Sequence, residues 1–242
     1  MSVGPACRPD VWVVVPARDE EALIGRTLDS LWAAAGAAGA QMRVIVVADS
    51  CTDGTAEIAR ARGSAVLEIE ARNVGAARRA GCARALLSGA ASDPRSWIAT
   101  TDADSVVPED WVAAHLRYRS RQVDLVVGTV ALEGGHAEDP LDRAWAEQYA
   151  SAVSARGHDH VHGANLGFSA QAFRLLGGFR PLRTGEDVDL VRRAAARGLC
   201  TVRALDMPVV TSRRTAGRAP AGFADDLAHL AGGLAPARVR SG

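Results

Sequence analysis

The most informative absence in this 242-residue sequence is lysine, because all 28 of its basic residues are arginine. Without lysine the chain has neither a Schiff-base amine nor the G-x-x-x-x-G-K-[ST] loop that binds nucleotide phosphates. The basic residues are matched by 28 acidic ones, so the formal net charge is zero. A balanced charge is not the electrostatic signature of a nucleic-acid-binding protein, and we therefore expect no nucleic-acid partner.

Cysteine is also scarce, and its spacing excludes two further kinds of site. The four cysteines, Cys7, Cys51, Cys82 and Cys200, lie far apart and form no C-x-x-C pair. We therefore expect neither a zinc site nor a disulfide framework, and a reducing, cytoplasmic setting. The sequence does not begin with a basic-then-apolar segment, so we expect no signal peptide, and no apolar run approaches the ~18 residues of a membrane span. We expect no membrane span, although peripheral contact with a membrane stays open.

What the sequence does contain is a regular alternation of apolar runs and helix-like segments in its first half. Apolar runs rich in β-branched residues predict buried strands over residues 11–15, 43–47, 65–69 and 97–101. Helical spacing of apolar residues predicts helices over about residues 20–35, 53–62, 73–87 and 108–120. We expect Pro16 to end the first strand and Asp19 to cap the first helix. Strands that alternate with helices are typical of a mostly parallel sheet.

The second half is less regular, but it contains no internal repeat and no clear linker, so we expect one domain. The predicted strands there cover residues 123–132, 200–204 and 209–212. The predicted helices cover residues 141 to about 155, 171–176 and about 184–197. A loop is expected at residues 134–139, and a Gly- and Pro-rich tail with one amphipathic stretch ends the chain.

Acidic residues follow three of the four predicted strands of the first half. Glu20 follows the first strand, Asp49 follows the second, and Asp102 and Asp104 follow the fourth. The carboxyl ends of parallel strands meet at one edge of the sheet, where α/β proteins bind ligands. Crowded carboxylates repel one another unless a cation or a donor such as a ribose hydroxyl lies between them. These acids therefore suit Mg²⁺ or Mn²⁺ bound to a phosphate, although each could instead cap a helix.

Seven short motifs in consecutive order resemble the family 2 glycosyltransferases, which have the GT-A fold. The best defined are Thr-Asp-Ala-Asp at residues 101–104 and Gly-Glu-Asp-Val-Asp-Leu at residues 185–190. The resemblance spans about residues 11 to 214. It implies an α/β, GT-A-like fold with a mostly parallel central sheet flanked by helices and a smaller acceptor-side lobe. The other five motifs lie at residues 13–21, 46–55, 73–81, 162–169 and 177–179.

The resemblance also divides residues 1–242, a single GT-A-like domain, into functional parts. It implies a nucleotide-binding half over about residues 11–120 and an acceptor half over about residues 121–214. The C-terminal tail, residues 215–242, lies outside the resemblance. The donor-binding residues that it implies are Pro16, Ala17, Arg18, Glu20, Asp49, Arg78, Asp102, Ala103 and Asp104.

Individual roles on the donor side follow from the same resemblance. Asp49 is expected to face the base, and Arg78 is expected to lie near the diphosphate. Asp102 is expected to contact the ribose or metal-bound water. Asp104 is expected to bind the divalent cation, Mg²⁺ or Mn²⁺, and Asp102 counts with it as a metal residue.

On the opposite side, Asp187 matches the position of the family's general base, and Glu186 lies beside it. His162, Gly163 and Asn165 are expected to line the acceptor side. Alternatively, His158, His160 and His162 could form a metal cluster. They occupy alternate positions, so a strand would place all three on one face.

Near the end of the region that the resemblance covers, the sequence allows two interpretations of Arg213 and Arg214. They could close on the diphosphate, or they could be surface residues of an Arg-rich chain.

The implied activity is metal-dependent, inverting glycosyl transfer of the hexosyltransferase type. The donor would be a nucleotide-diphospho-sugar of the UDP or GDP type, and the acceptor an unidentified hydroxyl compound. A sugar-nucleotidyl transferase is one alternative, but residues 16–21 lack the Gly-rich basic loop that it needs. A non-catalytic nucleotide-sugar-binding module of the same fold is another, and it predicts a lost acid at position 104 or 187. Both acids are present.

Overall fold

The computed structural model describes residues 10–134, 138–154 and 157–214, together with residues 228 and 230. Its helices are α1 (Ile24–Ala37), α2 (Thr55–Ala61), α3 (Val74–Leu87), α4 (Trp111–Ser120), α5 (Pro140–Ser151), α6 (Ala170–Leu176) and α7 (Glu186–Ala196). Its strands are β1 (Val11–Ala17), β2 (Met42–Asp49), β3 (Ala65–Ile69), β4 (Trp97–Thr100), β5 (Ser105–Val106), β6 (Leu125–Leu132), β7 (Val153–Ser154), β8 (Gly157–His158), β9 (Leu166–Ser169) and β10 (Thr201–Thr211).

In the described part of the chain, eight strands form one sheet in the order β3-β2-β1-β4-β9-β6-β10-β5. β9 and β5 run antiparallel to their neighbours, and the other paired strands are parallel. β7 and β8 form a separate antiparallel pair. The prediction of a mostly parallel sheet flanked by helices is confirmed.

The sheet is covered by helices on both faces, which explains why β1 is apolar at every position. Val11, Val13 and Val15 face one hydrophobic core, together with apolar residues of α1 and α4. Trp12 and Val14 face the other core, together with apolar residues of α3, α6 and α7. Strands that are buried on both faces have continuous rather than alternating apolar sequences.

The first strand-to-helix junction differs from the sequence-based prediction. β1 continues through Pro16 to Ala17, so Pro16 does not end it. Pairing with β4 stops at Val14, and Pro16 lies beyond it, where a missing N–H costs no bond to β4. Asp19 does not cap α1 either, because its carboxylate accepts the backbone N–H of Thr52 and α1 begins only at Ile24.

Other boundaries moved by a few residues. α4 begins at Trp111 rather than at residue 108, and α5 ends at Ser151 rather than near residue 155. The two short strands predicted near the end are one strand, β10, whose register against β6 shifts between Ala204 and Val209. That irregularity, next to Pro208, is the break that the sequence pattern showed.

Parts of two predictions fall outside the described residues. These are positions 135–137 of the predicted loop and, apart from residues 228 and 230, the tail at residues 215–242. Among the described residues, no helix has the length and apolar character needed to cross a membrane.

α3 packs unusually close to the sheet because it has glycine at position 81. A Cβ atom at Gly81 would lie 2.4 Å from Cγ1 of Val14 and 2.9 Å from Cγ2 of Val47. By contrast, a Cβ atom at Gly36, on the exposed face of α1, would meet nothing within 4 Å. The glycine at position 81 is therefore a packing requirement, and the one at position 36 is not.

We therefore expect alanine to have opposite effects at these two positions. Gly81→Ala should lower the free energy of unfolding by about 1–3 kcal/mol, because the extra methyl group overpacks the core. Gly36→Ala should raise it by up to about 1 kcal/mol, because alanine is the better helix former. Urea unfolding of the two variants beside the wild type measures both changes. Equal effects at the two positions would contradict the close approach of α3 to the sheet.

Candidate functional site

The candidate site lies at the edge of the sheet where the parallel strands β1, β2 and β4 end. Asp49 is the last residue of β2, Glu20 follows β1, and Asp102 and Asp104 follow β4. Glu20, Asp49 and Asp104 are buried, and Asp102 is about one-third exposed. The structure therefore brings the predicted acids to one edge of the sheet.

Arg214 joins two of these acids through its guanidinium. Its Nη2 lies 2.6 Å from Oε1 of Glu20 and 2.8 Å from Oδ2 of Asp104, and its Nη1 donates to the other oxygen of Glu20. Burial and the nearby charge of Asp102 raise the pKa of Asp104 to about 6, while Arg214 opposes that shift. A pair of buried carboxylates that share a cation fits the oxygen-rich surroundings that Mg²⁺ and Mn²⁺ prefer. Arg214 is thus not one of the freely solvated surface arginines.

A second arginine, Arg78 on α3, forms a buried ion-pair link across the site. Its guanidinium donates to Oδ1 of Asp102 at 2.5 Å and to Oε1 of Glu186, the first residue of α7. Burial alone would lower the pKa of Arg78, but Asp102, Glu186 and Asp187 together raise it. The Arg78 side chain is only 5% exposed. In this structure it holds two acids together, and a direct contact with a diphosphate stays a prediction.

Glu186 and Asp187 have different surroundings although they are neighbours at the start of α7. Glu186 is buried against Arg78, and burial raises its pKa. Asp187 is half-buried, with Oδ2 accepting the N–H of Gly163 at 2.7 Å and Oδ1 accepting the N–H of Val188 at 2.8 Å. The geometry therefore leaves Asp187 as the more accessible carboxylate.

Residue 163 has to be glycine at this point, because the Arg78 guanidinium lies directly against it. A Cβ atom at Gly163 would lie 2.3 Å from Cζ of Arg78. The carbonyl of Gly163 accepts the hydroxyl of Thr100 at the end of β4. Gly163 thus connects β4, α3 and Asp187 through one short backbone segment.

Asn165, which we predicted on the acceptor side, lies in the core. Its side-chain oxygen accepts the indole N–H of Trp111, and its amide donates to the carbonyls of Thr129 and Met207. A Cβ atom at Gly128 would lie 2.2 Å from the amide nitrogen, so this side chain is closely enclosed. A direct contact with an acceptor would break these bonds, and we do not carry that role forward.

Asp49 is bonded to a loop rather than directed into open space. Its carboxylate accepts three backbone N–H groups, from Ala71, Arg72 and Asn73, at 2.7–2.8 Å. Asn73 then caps α3 by accepting the N–H of Ala76. Asp49 therefore fixes the loop that leads into the helix carrying Arg78, and its predicted contact with a base stays a prediction.

The three alternating histidines do not converge on one point. A ring nitrogen of His158 contacts the carbonyl of Val127, and a ring nitrogen of His160 contacts the carbonyl of Tyr149. The rings of Tyr149, His160 and His162 are stacked instead. Burial lowers the pKa of His162 to about 4, against the opposing effect of Asp187. This arrangement favours a neutral His162 beside the acid over a histidine metal cluster.

A group that the sequence analysis did not single out lies in the loops after β1 and β2. Among the described residues, Asp19, Cys51 and Asp53 alone place three ligand atoms within 4.8 Å of one another. The carboxylates already accept hydrogen bonds, Asp19 from Thr52 and Asp53 from Thr55. Cys51 and Asp53 lie 32 and 34 residues after Asp19 in the sequence. The pairing of β1 with β2 is what brings the three residues together.

Comparison of the sequence with models of known families gives a match. The family model described as "Glycosyl transferase family 2" matches residues 12–176. No curated protein sequence matches the chain.

Solved structures share the fold at low sequence identity. The mannosyltransferase PcManGT from Pyrobaculum calidifontis, in complex with GDP-Man and Mn²⁺, superposes with a TM-score of 0.60 at 23% identity, covering 88% of this chain and 59% of that chain. For S. aureus TarS 1-349 the TM-score is 0.62 at 14% identity, covering 85% and 61%. For glucosyl-3-phosphoglycerate synthase from Mycobacterium tuberculosis with Mg²⁺ and uridine-diphosphate, it is 0.51 at 18% identity, covering 84% and 70%.

At these identities the likeness shows the fold alone, which is GT-A. The chain spans about three fifths of the length of the first two structures, 59% and 61%.

The buried link formed by Arg78 leads to a stability prediction. Arg78→Met should lower the free energy of unfolding by about 3–5 kcal/mol, because the buried Glu186 and the partly buried Asp102 lose their shared cation. Arg79→Met is the matched control, since Arg79 is exposed on the same helix and should change stability by less than about 0.5 kcal/mol. Guanidinium unfolding curves of both variants measure the difference. Similar curves for the two variants would mean that Asp102 and Glu186 do not depend on the guanidinium.

Proposed function

Since the chain belongs to glycosyl transferase family 2, we propose that it transfers a sugar from a nucleotide-diphospho-sugar to an acceptor hydroxyl. The observation that carries the proposal is the cluster of acids at the carboxyl edge of the sheet, which Arg78 links to Glu186, the neighbour of Asp187 at the start of α7. The family match favours glycosyl transfer over sugar-nucleotidyl transfer. The presence of both Asp104 and Asp187 favours a working enzyme over a non-catalytic binding module.

On the donor side, Asp102 and Asp104 would hold Mg²⁺ or Mn²⁺. Asp104 is buried and its Oδ2 already lies 2.8 Å from a cation, the Arg214 guanidinium, and Asp102 follows the same strand two residues earlier, which supports this assignment. When bound, the ion supplies Lewis-acid stabilisation of the charge that grows on the departing diphosphate. The complexes of structural neighbours with Mn²⁺ and GDP-Man, or with Mg²⁺ and uridine-diphosphate, agree with this choice of ion and with a UDP- or GDP-type donor.

The nucleoside would lie against the ends of β1 and β2. Pro16, Ala17 and Arg18 end β1 or follow it, and Ala17 pairs with Ala48 immediately before Asp49. Asp49 would face the base, while its carboxylate also holds the loop at residues 71–73. The nucleotide-binding half at about residues 11–120 and the acceptor half at about residues 121–214 are parts of this proposal. So is the cytoplasmic setting, with which the free Cys51, Cys82 and Cys200 agree.

On the acceptor side, Asp187 would take the proton of the attacking hydroxyl. The N–H of Gly163 holds one of its oxygens, and the N–H of Val188 contacts the other, so its carboxylate is oriented before substrate binds. The neutral ring of His162 lies beside it. A single in-line displacement assisted by one base inverts the anomeric centre, which makes the proposed transferase an inverting enzyme.

A thermal-shift panel tests the proposed donor class directly. UDP, GDP and their sugar derivatives are each mixed with the wild-type protein, with and without Mn²⁺. A ligand that binds the native state raises the melting temperature by mass action. A shift with a nucleotide-diphospho-sugar supports the proposal, and no shift with any of them contradicts it.

The metal assignment predicts the behaviour of an Asp104→Asn variant. It should lose the Mn²⁺-dependent part of nucleotide binding and keep its fold, because an amide is a poorer ligand than a carboxylate. Asp110→Asn, at an exposed acid shortly after the motif, is the control and should bind like the wild type. Calorimetric titration with UDP or GDP and Mn²⁺ compares them. Unchanged affinity in Asp104→Asn would remove this residue from the metal site.

The base assignment predicts a separation of binding from chemistry. Asp187→Asn should bind the donor and Mn²⁺ about as well as the wild type, while its transfer rate falls by roughly 10²-fold or more. Asp159→Asn removes an exposed acid from the segment that precedes His162 and serves as the control. Single-turnover transfer to a working acceptor is measured beside donor affinity. A rate within a few-fold of the wild type would mean that another group is the base.

A further inference from the structure

The segment that follows β10 places an arginine guanidinium in contact with the acid cluster. Arg214 lies three residues after the last residue of this strand and contacts both Glu20 and Asp104. The Arg214 side chain is 30% exposed, whereas those of Glu20 and Asp104 are 6% and 11% exposed. The guanidinium is therefore the more accessible partner, and it covers carboxylates that are otherwise enclosed.

The contact has a clear electrostatic reason. Two nearly buried carboxylates next to a third, Asp102, are unfavourable unless a positive charge lies among them. Arginine stays protonated, so Arg214 supplies that charge at all ordinary pH values. Its Nη2 lies 2.8 Å from Oδ2 of Asp104, so the guanidinium occupies one of the two carboxylate oxygens that Asp104 could offer to a divalent cation.

The neighbouring arginine makes a useful contrast. Arg213 carries the same charge one residue earlier, but it pairs with Asp139 at 2.7 Å and Asp142 at 3.0 Å, at the start of α5. Among these two described arginines, it is Arg214 that pairs with Glu20 and Asp104. Any effect that depends on the contact itself, rather than on charge near the site, must therefore distinguish Arg214 from Arg213.

We propose that Arg214 is the resident counter-cation of the divalent-cation site and that it leaves Asp104 when the ion binds. The inference rests on the proposed function, which places the ion at Asp102 and Asp104. Residues 212–214 follow β10 without belonging to a strand, so the guanidinium can move without disturbing the sheet. The charge of the cluster then stays compensated in both states, first by arginine and then by the metal.

The first test measures Mn²⁺ binding alone, without nucleotide. Arg214→Gln should bind Mn²⁺ about 5- to 100-fold more tightly than the wild type, the usual range for coupling between two binding events. Arg213→Gln should stay close to the wild type, and Arg214→Lys, which keeps a cation, should bind less tightly than Arg214→Gln. Isothermal titration calorimetry of the four proteins gives the affinities. Equal affinity in Arg214→Gln and Arg213→Gln overturns the inference, and so does weaker binding in Arg214→Gln.

The second test uses stability, because the same coupling must appear there. Without Mn²⁺, Arg214→Gln should melt at a lower temperature than the wild type, since its acids lose their counter-cation. With saturating Mn²⁺, this difference should shrink, because the metal replaces the missing charge. A difference that does not change with Mn²⁺ assigns Arg214 a purely structural role and overturns the inference.

Failure of this inference can be told apart from failure of the proposed function. The proposed function depends on binding of a nucleotide-diphospho-sugar by the wild-type protein, and neither Mn²⁺ test contains a nucleotide. Donor binding with no Mn²⁺ binding in any variant overturns the role of Arg214 and leaves sugar transfer standing. Tighter Mn²⁺ binding in Arg214→Gln with no donor binding supports the role of Arg214 and contradicts the donor assignment.

Discussion

The buried ion-pair link from Asp102 through Arg78 to Glu186 is the interaction on which the site depends. Asp102 follows the central strand β4, Arg78 lies on α3, and Glu186 begins α7, so the link ties the proposed nucleotide half to the acceptor half. Arg78 and Glu186 are 108 residues apart in sequence. Leaving Arg78 or Glu186 unpaired in the interior would be costly. Asp102, in the motif at residues 101–104, and Glu186, next to Asp187, are therefore linked through one guanidinium.

Charge compensation explains the rest of the cluster as well. Because β1, β2 and β4 are parallel, the residues at their carboxyl ends lie at one edge of the sheet. Most of the candidate site residues at this edge are acids. Two arginines from distant segments compensate part of this negative charge. Backbone N–H groups bind the carboxylates of Asp49 and Asp187. Each acid is thus held in a defined position by a hydrogen bond or an ion pair, which is the preorganisation that electrostatic catalysis requires.

Much of this could be predicted from the sequence. The apolar runs located β1, β2 and β4, because strands buried on both faces need continuous apolar residues. The acids at strand ends were placed at one edge for the same topological reason. The partners of those acids could not be predicted. Asn165 looked like an acceptor residue, yet its amide joins Trp111, Thr129 and Met207, contacts that depend on how separate elements pack. Pro16 looked like a strand end, yet pairing with β4 had already stopped at Val14.

By itself, the sequence determined the α/β layout and the ordered motifs at residues 13–190, because both are written in local patterns of residue type and spacing. It also determined which residue types are available, arginine without lysine among them. Only the tertiary structure decided which acid each arginine meets. Arg214 and its neighbour Arg213 are equivalent in sequence, but Arg214 contacts Glu20, 194 residues away, while Arg213 contacts the start of α5. These pairings depend on the position of β10 in the sheet. Local sequence patterns do not predict that position.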